Sequence, residues 1–288
     1  MTVRQKNVLI FFASLLISLL VFGSIFFFFL HRIQKSRQTD SLQEDVPYLR
    51  QYQPTSQENL SLLLIGCKKA ESLPGYLVLF HYDAPQGILT AMFLPAETLV
   101  TSEARRDTLA GHYEYAGIKG CVRAVGALLG QEPERYLRLQ KKGISNLCDY
   151  FGGADYDLKE DVVIDGQTIL KGAQRMDGRR IAGFLFEPDS SGRTDLERQA
   201  EFTYRVLQNG LNAEAAEEYG ELASVLFYNA ETNLNQYDFV LRQQGFSERL
   251  ASDSLVIRSI LLEGEYSEEE KGLVPSRSSM DEILGVLG

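Results

Sequence analysis

The sequence predicts a mixed α/β fold: a central mixed β-sheet sandwiched by helices, with one N-terminal transmembrane helix. Three observations on the 288-residue chain lead there. Short apolar runs of strand length come first, and amphipathic helical patterns intervene between the later ones, which separates the chain from the all-α and all-β classes. Turn signals join neighbouring runs directly, and hairpins make antiparallel pairs, so a purely parallel sheet is excluded. Finally, residues 8–30, VLIFFASLLISLLVFGSIFFFFL, carry no charge.

That last run reaches roughly 35 Å as a helix, enough to cross a hydrocarbon core about 30 Å thick. A cleaved signal peptide has a shorter apolar region, roughly 7–15 residues, that ends in a small-x-small site. This run ends in FFFFLHR instead and reads as an uncleaved signal-anchor. The expected organisation is a cytoplasmic tail at 1–7, the span at 8–30, a polar stalk at 31–57, a core domain at 58–210 and a helical and strand extension at 211–288 packed on the core. A short N-terminal flank and an acidic bulk beyond the span favour an N-terminus in the cytoplasm and a folded domain outside it.

Residues 60–67 (LSLLLIGC) form a short apolar run that reads as a buried strand. YLVLFHY (76–82) and GILTAMFLP (87–95), separated by DAPQ, read as a strand pair around a turn. TSEARRDT then reads as a polar loop. IKGCVRAVGALLG (118–130) places its apolar residues at helical spacing, with Gly130 as a stop. RYLRL (135–139) alternates like a strand, and KGISNLCDYFGG (142–153) is a second amphipathic helix ended by a glycine pair. Asp165-Gly166 inside VVIDGQTIL is a strong hairpin signal. Helices are expected over 192–210, 213–229 and 234–245, and a late strand over 254–264.

Charge is unevenly spread. Residues 1–37 hold five basic residues and no acid, leaving 24 basic against 39 acidic residues beyond them, a formal balance of −15. A region that acidic repels a phosphate backbone, so nucleic acid is not an expected partner. The three cysteines, Cys67, Cys121 and Cys148, have no metal-binding spacing and read as buried apolar residues, with a Cys121–Cys148 bridge as a minor alternative. The chain contains no P-loop, dinucleotide fingerprint, HExxH or nucleophile elbow.

The ordered series LLLIGCK (62–68), FLPAET (93–98), TLAGHYEYAG (108–117), CDYFGGADYDL (148–158), QRMDGRRIAGFL (174–185), DLERQAEF (195–202) and ETNLNQYD (231–238) resembles the motifs of the LytR–CpsA–Psr (LCP) family of membrane-anchored envelope proteins. The resemblance covers roughly residues 60–288. It implies a mixed sheet between helix layers and a hydrophobic cavity that takes a polyprenyl chain. Enzymes of that family transfer a glycopolymer from a polyprenyl pyrophosphate carrier to peptidoglycan, with arginines on the pyrophosphate and acids assisting through Mg²⁺ and proton transfer.

The matched positions are depleted of the charges that this chemistry uses. The family's Pro-Arg-Asp-Thr falls on Pro95, Ala96, Glu97 and Thr98, so the cation is replaced and the acid lengthened by one methylene. Gly-x-Asp ends here in Lys68, with the sign reversed. Arg-x-Asp falls on 73–76 and Arg-x-Arg near 184–188, both without cations. Of the family's charged set Glu97 and Arg198 remain in place. Removing one charged partner from a transferring phosphoryl group costs several kcal/mol of transition-state stabilisation.

Glu97 is therefore the one catalytic candidate. Arg105, Arg106, Arg198, Lys68 and His112 are candidates for holding a phosphate, with Arg179 and Arg180 behind them as a solvated pair at a helix start. His81 reads as a core or edge histidine, and Cys67 as packing at a strand end. Three readings follow. In the first, an LCP-like module of the bacterial cell envelope binds a polyprenyl phosphate or lipid-linked glycan, with peptidoglycan as a further partner and with weak or no transferase activity. In the second, a phosphotransferase uses a rebuilt arginine site, with Mg²⁺ as cofactor, and Lys68, Arg105, Arg106 and Arg198 converge within about 8 Å around Glu97, close enough to share one diphosphate. In the third, Phe80, Phe93 and Phe184 fill the interior and the cavity is gone.

Overall fold

The structure is a computed structural model and describes residues 52–187 and 195–287. The predicted span at 8–30 and most of the stalk lie outside the described residues. Among the described residues no helix is long and apolar enough to cross a membrane.

Six strands make the central sheet: β1 (Leu60–Cys67), β2 (Pro74–Asp83), β3 (Ile88–Phe93), β6 (Arg135–Gln140), β11 (Ala230–Thr232) and β12 (Val256–Leu261). Their order is β11-β6-β1-β2-β3-β12. β1, β2 and β3 form an antiparallel meander, because turns of a few residues can only reverse the chain. β6 returns parallel to β1 through a helix, and β12 lies parallel to β3. The mixed sheet expected from the sequence is thus present. The residues from 211 onward supply both of its edge strands, β11 and β12, so the predicted extension is woven into the core sheet.

Alternation on the central strands sorts the interior into two layers. Leu64 of β1, Val78 of β2 and Phe93 of β3 face one layer. It is covered by α2 (Lys141–Tyr150), α3 (Gly178–Leu185) and α4 (Leu196–Gly210), with α6 (Tyr219–Asn229) and α7 (Gln236–Ala251) beside them. Leu63, Ile65 and Leu77 face the other layer, covered by α1 (Leu109–Leu129) and α8 (Arg277–Leu287). A strand buried on both faces reads as a continuous apolar run, which is why LSLLLIGC shows no polar alternation.

Several elements depart from the sequence expectation. α1 starts at Leu109, capped by the Thr108 hydroxyl accepting from the Gly111 amide at 2.9 Å, and breaks at Ala116 and Gly117, where Gly117 has φ 62°. The apolar periodicity becomes regular only after that break, so the first turns are hidden. TSEARRDT is not a loop: β4 (Leu99–Ser102) pairs with β5 (Arg105–Thr108) around Glu103 and Ala104, both with positive φ. The short helix α5 (Ala213–Glu217) precedes α6 where one continuous helix was expected. Two further pairs, β7 (Ala154–Leu158) with β10 (Gly172–Met176) and β13 (Gly264–Ser267) with β14 (Gly272–Pro275), and α8 carry no strong sequence signal. The Asp165-Gly166 hairpin forms as expected from β8 (Val162–Ile164) and β9 (Gln167–Ile169). All three cysteines are buried and free.

Candidate functional site

A cavity of about 210 Å³ lies between one face of the sheet and the helices α2, α3, α4, α6 and α7. Its wall is built from side chains that strand alternation and helical spacing turn inward: Leu62 and Phe80 from the sheet, Ile144 from α2, Leu185 from α3, Val206 from α4 and Phe239 from α7. Phe93 and Phe184 are fully buried, and Phe80 stands in the wall, yet the space beside them remains. The interior has therefore not closed as the third reading required.

Polar groups bound the cavity at both ends. Near the start of β2, the Tyr76 hydroxyl lies 2.6 Å from Thr203 Oγ1, which donates to the Gln199 carbonyl at 2.7 Å. Burial pushes the Tyr76 phenol well above its ordinary value. Toward the end of β2, Arg242 donates to the carbonyls of Glu58 at 2.8 Å, Asp238 at 2.9 Å and Asn59 at 2.6 Å. Asp238 receives Arg135 Nε at 2.8 Å and Nη2 at 2.9 Å, and its side chain accepts the Asn235 amide at 2.9 Å. Burial raises the Asp238 carboxyl, but the Arg135 hydrogen bonds, the Asn235 amide and the charges of Arg135 and Arg242 outweigh it and hold the group below the ordinary carboxylate value.

The Arg198-Gln199 pair, matched to the family's Arg-Gln, opens α4 beside the strand ends. Asp195 caps the helix, its side chain accepting the Arg198 amide at 2.9 Å. Gln199 Nε2 donates to the carbonyls of Gly75 at 2.9 Å and Leu185 at 2.7 Å, which fastens β2 to the end of α3. The Arg198 guanidinium donates to the Glu187 carbonyl, lies 5.9 Å from the Phe184 ring centroid and sits 3.8 Å from Asp195. Its Nε is buried and has no hydrogen-bond partner among the described residues.

The other predicted cations are held elsewhere. Arg105 pairs with Asp107 and covers the Tyr115 ring at 4.6 Å. Arg106 pairs with Glu270. Both stand on β5, beside α1 rather than beside the cavity. Lys68 is exposed just past the end of β1. His112 is buried, with Nε2 3.1 Å from the Val100 carbonyl, an interaction that ties α1 to β4. Glu97 is half-buried between β3 and β4, and its carbonyl accepts the Leu273 amide at 2.8 Å. Arg105 and Arg106 thus share β5, and Arg105 and His112 line one further pocket of about 400 Å³ beside α1, while Lys68, Glu97 and Arg198 stand on other elements.

Mg²⁺ takes hard oxygen ligands, commonly one or two carboxylates together with waters and substrate phosphates. Among the described residues no group of three or more His, Cys, Asp or Glu side chains is gathered to hold a metal, and the family's acid position carries the cation of Lys68.

Sequence reading passed over Lys141 and Asp165. Lys141 Nζ lies 2.6 Å from both carboxylate oxygens of Asp165. The hydrogen bonds from Lys141, then the charges of Lys141, Arg179 and Lys68, hold Asp165 below its ordinary value. Asp165-Gly166 was legible as a turn, but which helix that turn touches was not. Lys141 fell between an expected strand and an expected helix.

A mixed sheet between two helix layers, hollowed on one side by an apolar cavity, defines an α/β protein of a distinct three-layer kind. The chain belongs to the LytR_cpsA_psr family, whose model matches residues 25–286. It is similar to the polyisoprenyl-teichoic acid–peptidoglycan teichoic acid transferase TagU of Bacillus anthracis, 21% identical over 201 residues, which are 67% of this chain and 66% of that protein. The chain thus matches about two-thirds of the length of that relative. Among solved structures, one from Eubacterium siraeum superimposes with a TM-score of 0.73 at 16% identity, covering 86% of this chain and 98% of that one. Bacillus subtilis TagV follows with a TM-score of 0.65 at 17% identity, covering 81% and 97%. These likenesses bear on the fold.

Proposed function

We propose that this protein is a membrane-anchored, extracytoplasmic member of its family that binds a polyprenyl-type lipid or lipid-linked glycan and has weak or no transferase activity. The observation that carries this reading is the persistence of the apolar cavity alongside a dispersed charge set. The wall is almost wholly hydrocarbon, so burying a prenyl chain there gains about 25 cal/mol per Å² of apolar surface removed from water. The space is below the ~300–1,000 Å³ of pockets that enclose a drug-sized ligand, so it would shelter one end of a long chain. Diphosphate transfer needs cations preorganised around the leaving oxygens. Arg105 and Arg106 are engaged by acids on the α1 side, and Arg198 binds a backbone carbonyl. The uncharged run at 8–30 supports anchoring, and the TagU name supports a lipid-linked glycan as the ligand class.

The test is to purify the full chain from its native membrane and identify co-purified lipids by mass spectrometry. A polyprenyl phosphate or diphosphate in the bound fraction is expected. An empty protein, or one carrying only bulk phospholipid in proportion to the membrane, would remove the reading. Release of glycan onto peptidoglycan fragments, abolished by Glu97→Ala, would replace it with the transferase.

A further inference from the structure

Strand alternation turns Tyr82 to the same face of β2 as Tyr76 and Phe80, and all three line the cavity. About 20 Å of strand separates Tyr82 from Tyr76, so the two phenols mark opposite ends of the space. They differ in one respect. The Tyr76 hydroxyl is paired with Thr203, whereas the Tyr82 hydroxyl is buried and has no hydrogen-bond partner among the described residues. Tyr82 is 5% exposed, so bulk water does not serve it. Buried hydroxyls are as a rule paired, because burial without a partner is costly. The partner of this one has to come from whatever occupies the cavity.

The surroundings restrict what that occupant is. The charged groups that act on Tyr82 are Arg249, Glu58, Asp83 and Arg242, and each is already engaged. Arg242 donates to three backbone carbonyls and Arg249 to the Pro85 carbonyl at 2.8 Å. Glu58 accepts the Tyr52 hydroxyl and the Thr55 amide, and Asp83 accepts the Gln86 side chain at 2.8 Å. An anion here would meet Glu58 and Asp238 and would have to draw both arginines from the carbonyls they hold. A bare hydrocarbon end would leave the phenol unpaired. Burial pushes the Tyr82 phenol up to about 12, so it stays neutral and keeps its proton. A neutral hydroxyl suits it, since such a group accepts from the phenol or donates to it. The Tyr82 ring meets Phe246 edge-on at 5.2 Å, and Phe246 lies 5.7 Å from the Tyr219 ring, which walls the polar atom with apolar surface.

We propose that the Tyr82 end of the cavity is a hydroxyl-binding subsite, and that the lipid taken there is an uncharged prenyl alcohol with its oxygen on the Tyr82 phenol and its chain running toward Tyr76. The inference rests on the lipid-binding reading and deepens it by naming the polar group and the end it occupies. It also fits the depleted charge set, because an alcohol has no phosphate for cations to hold.

The experiment uses the full chain, stripped of lipid by extensive detergent washing. It is incubated with equal amounts of farnesol and farnesene, which share a branched hydrocarbon chain and differ in the hydroxyl. Retained lipid is measured by gas chromatography against the ratio in protein-free micelles. The wild type should favour farnesol about tenfold, the size of one hydrogen bond gained by a hydroxyl that is otherwise buried unpaired. Tyr82→Phe removes that hydroxyl alone and should bring the ratio to about one. In the lipid-free protein the same substitution should hold or raise the thermal midpoint, since no internal hydrogen bond is lost. Farnesyl phosphate, added separately, should be retained equally by wild type and Tyr82→Phe.

A wild-type ratio near one would overturn the subsite and mean that a trapped water serves the phenol. A preference for farnesol that survives Tyr82→Phe would overturn it too, by placing the hydroxyl elsewhere. Loss of farnesyl phosphate in Tyr82→Phe would overturn the assignment to a neutral group. If both farnesol and farnesene are retained without preference, this inference fails alone and the lipid-binding reading stands. If neither is retained and no polyprenyl lipid co-purifies with the protein, both fail.

Discussion

Gln199 and Gly75 are joined across 124 residues by one hydrogen bond, from Gln199 Nε2 to the Gly75 carbonyl at 2.9 Å, and the same amide group reaches the Leu185 carbonyl at 2.7 Å. The Gln199 side chain and Leu185 are buried, so the Leu185 carbonyl has no water as an easy substitute, while Gly75 is half-buried. Gln199→Met keeps the volume and the flexible stem while removing both donors. The buried Leu185 carbonyl left unpaired costs about 1–3 kcal/mol and the half-buried Gly75 carbonyl, which water can partly serve, about 1 kcal/mol, so a loss of roughly 2–4 kcal/mol in urea unfolding is expected. A loss below about 0.5 kcal/mol, the size of an ordinary surface change, would show that the amide does not fasten β2 to α3.

Asp238 makes stability depend on pH with a definite sign. Its folded carboxyl is held below the ordinary value of 3.8, so the stabilisation is fully present above that value and is lost as pH falls from about 3.8 through the folded value. Asp238→Asn removes the carboxylate of Arg135 and the nearer of two around the buried Arg242, which keeps Glu134 at 3.9 Å, at a cost of about 3 kcal/mol at neutral pH. The variant should also lose less stability than wild type between pH 5 and pH 3, a range of about two pH units around that titration. Denaturant unfolding at several pH values reads both effects, and parallel curves for the two proteins would contradict the assignment.

Two glycines with left-handed backbones separate conformational cost from steric cost. Gly166 has φ 76°, and a Cβ there meets nothing within 4 Å. Gly153 has φ 71°, but its Cβ would lie 2.2 Å from the Met176 carbonyl oxygen. Gly166→Ala should cost about 1–2 kcal/mol, the penalty for placing an L-residue in that region. Gly153→Ala should cost several kcal/mol, because the oxygen belongs to backbone that cannot rotate away. Comparable losses by thermal unfolding would mean that the turn after α2 gives way more easily than its packing implies.

The sheet was legible because its strands obey local rules. β1 is a bare apolar run since both its faces are covered, β8–β9 announces itself through Asp165-Gly166, and α2 through its amphipathic spacing. β4–β5 escaped because Glu103 and Ala104 take positive φ without a glycine or asparagine to signal it, and because Arg105 and Arg106 make β5 polar. The candidate site was harder still. Arg106 finds Glu270 164 residues away, so nothing in its own neighbourhood tells a paired arginine from one facing a phosphate. Lys68 and Lys141 become neighbours only through the register of two parallel strands, which a single sequence does not encode locally. Motif comparison could show which charges were missing from family positions. It could not show which partners the remaining ones hold.

Val206 stands in the cavity wall on α4 and is 5% exposed, which makes it a place to fill the space without touching a polar group. Val206→Phe adds a ring on the side that faces the void. In a tightly packed core such an enlargement costs about 1–3 kcal/mol through forced rotamers. Beside an apolar cavity of about 210 Å³ the ring makes new packing contacts in place of that strain, so the thermal midpoint should hold or rise. The same ring takes up hydrocarbon space, and polyprenyl lipid recovered with the purified protein should fall about tenfold, equivalent to a ~1.4 kcal/mol loss of affinity. The two readouts decide different things. A destabilised variant would mean that the wall closes up in solution and the cavity is small or transient. A stable variant that retains as much lipid as wild type would place the lipid outside this cavity, against another apolar surface of the protein or in its detergent shell.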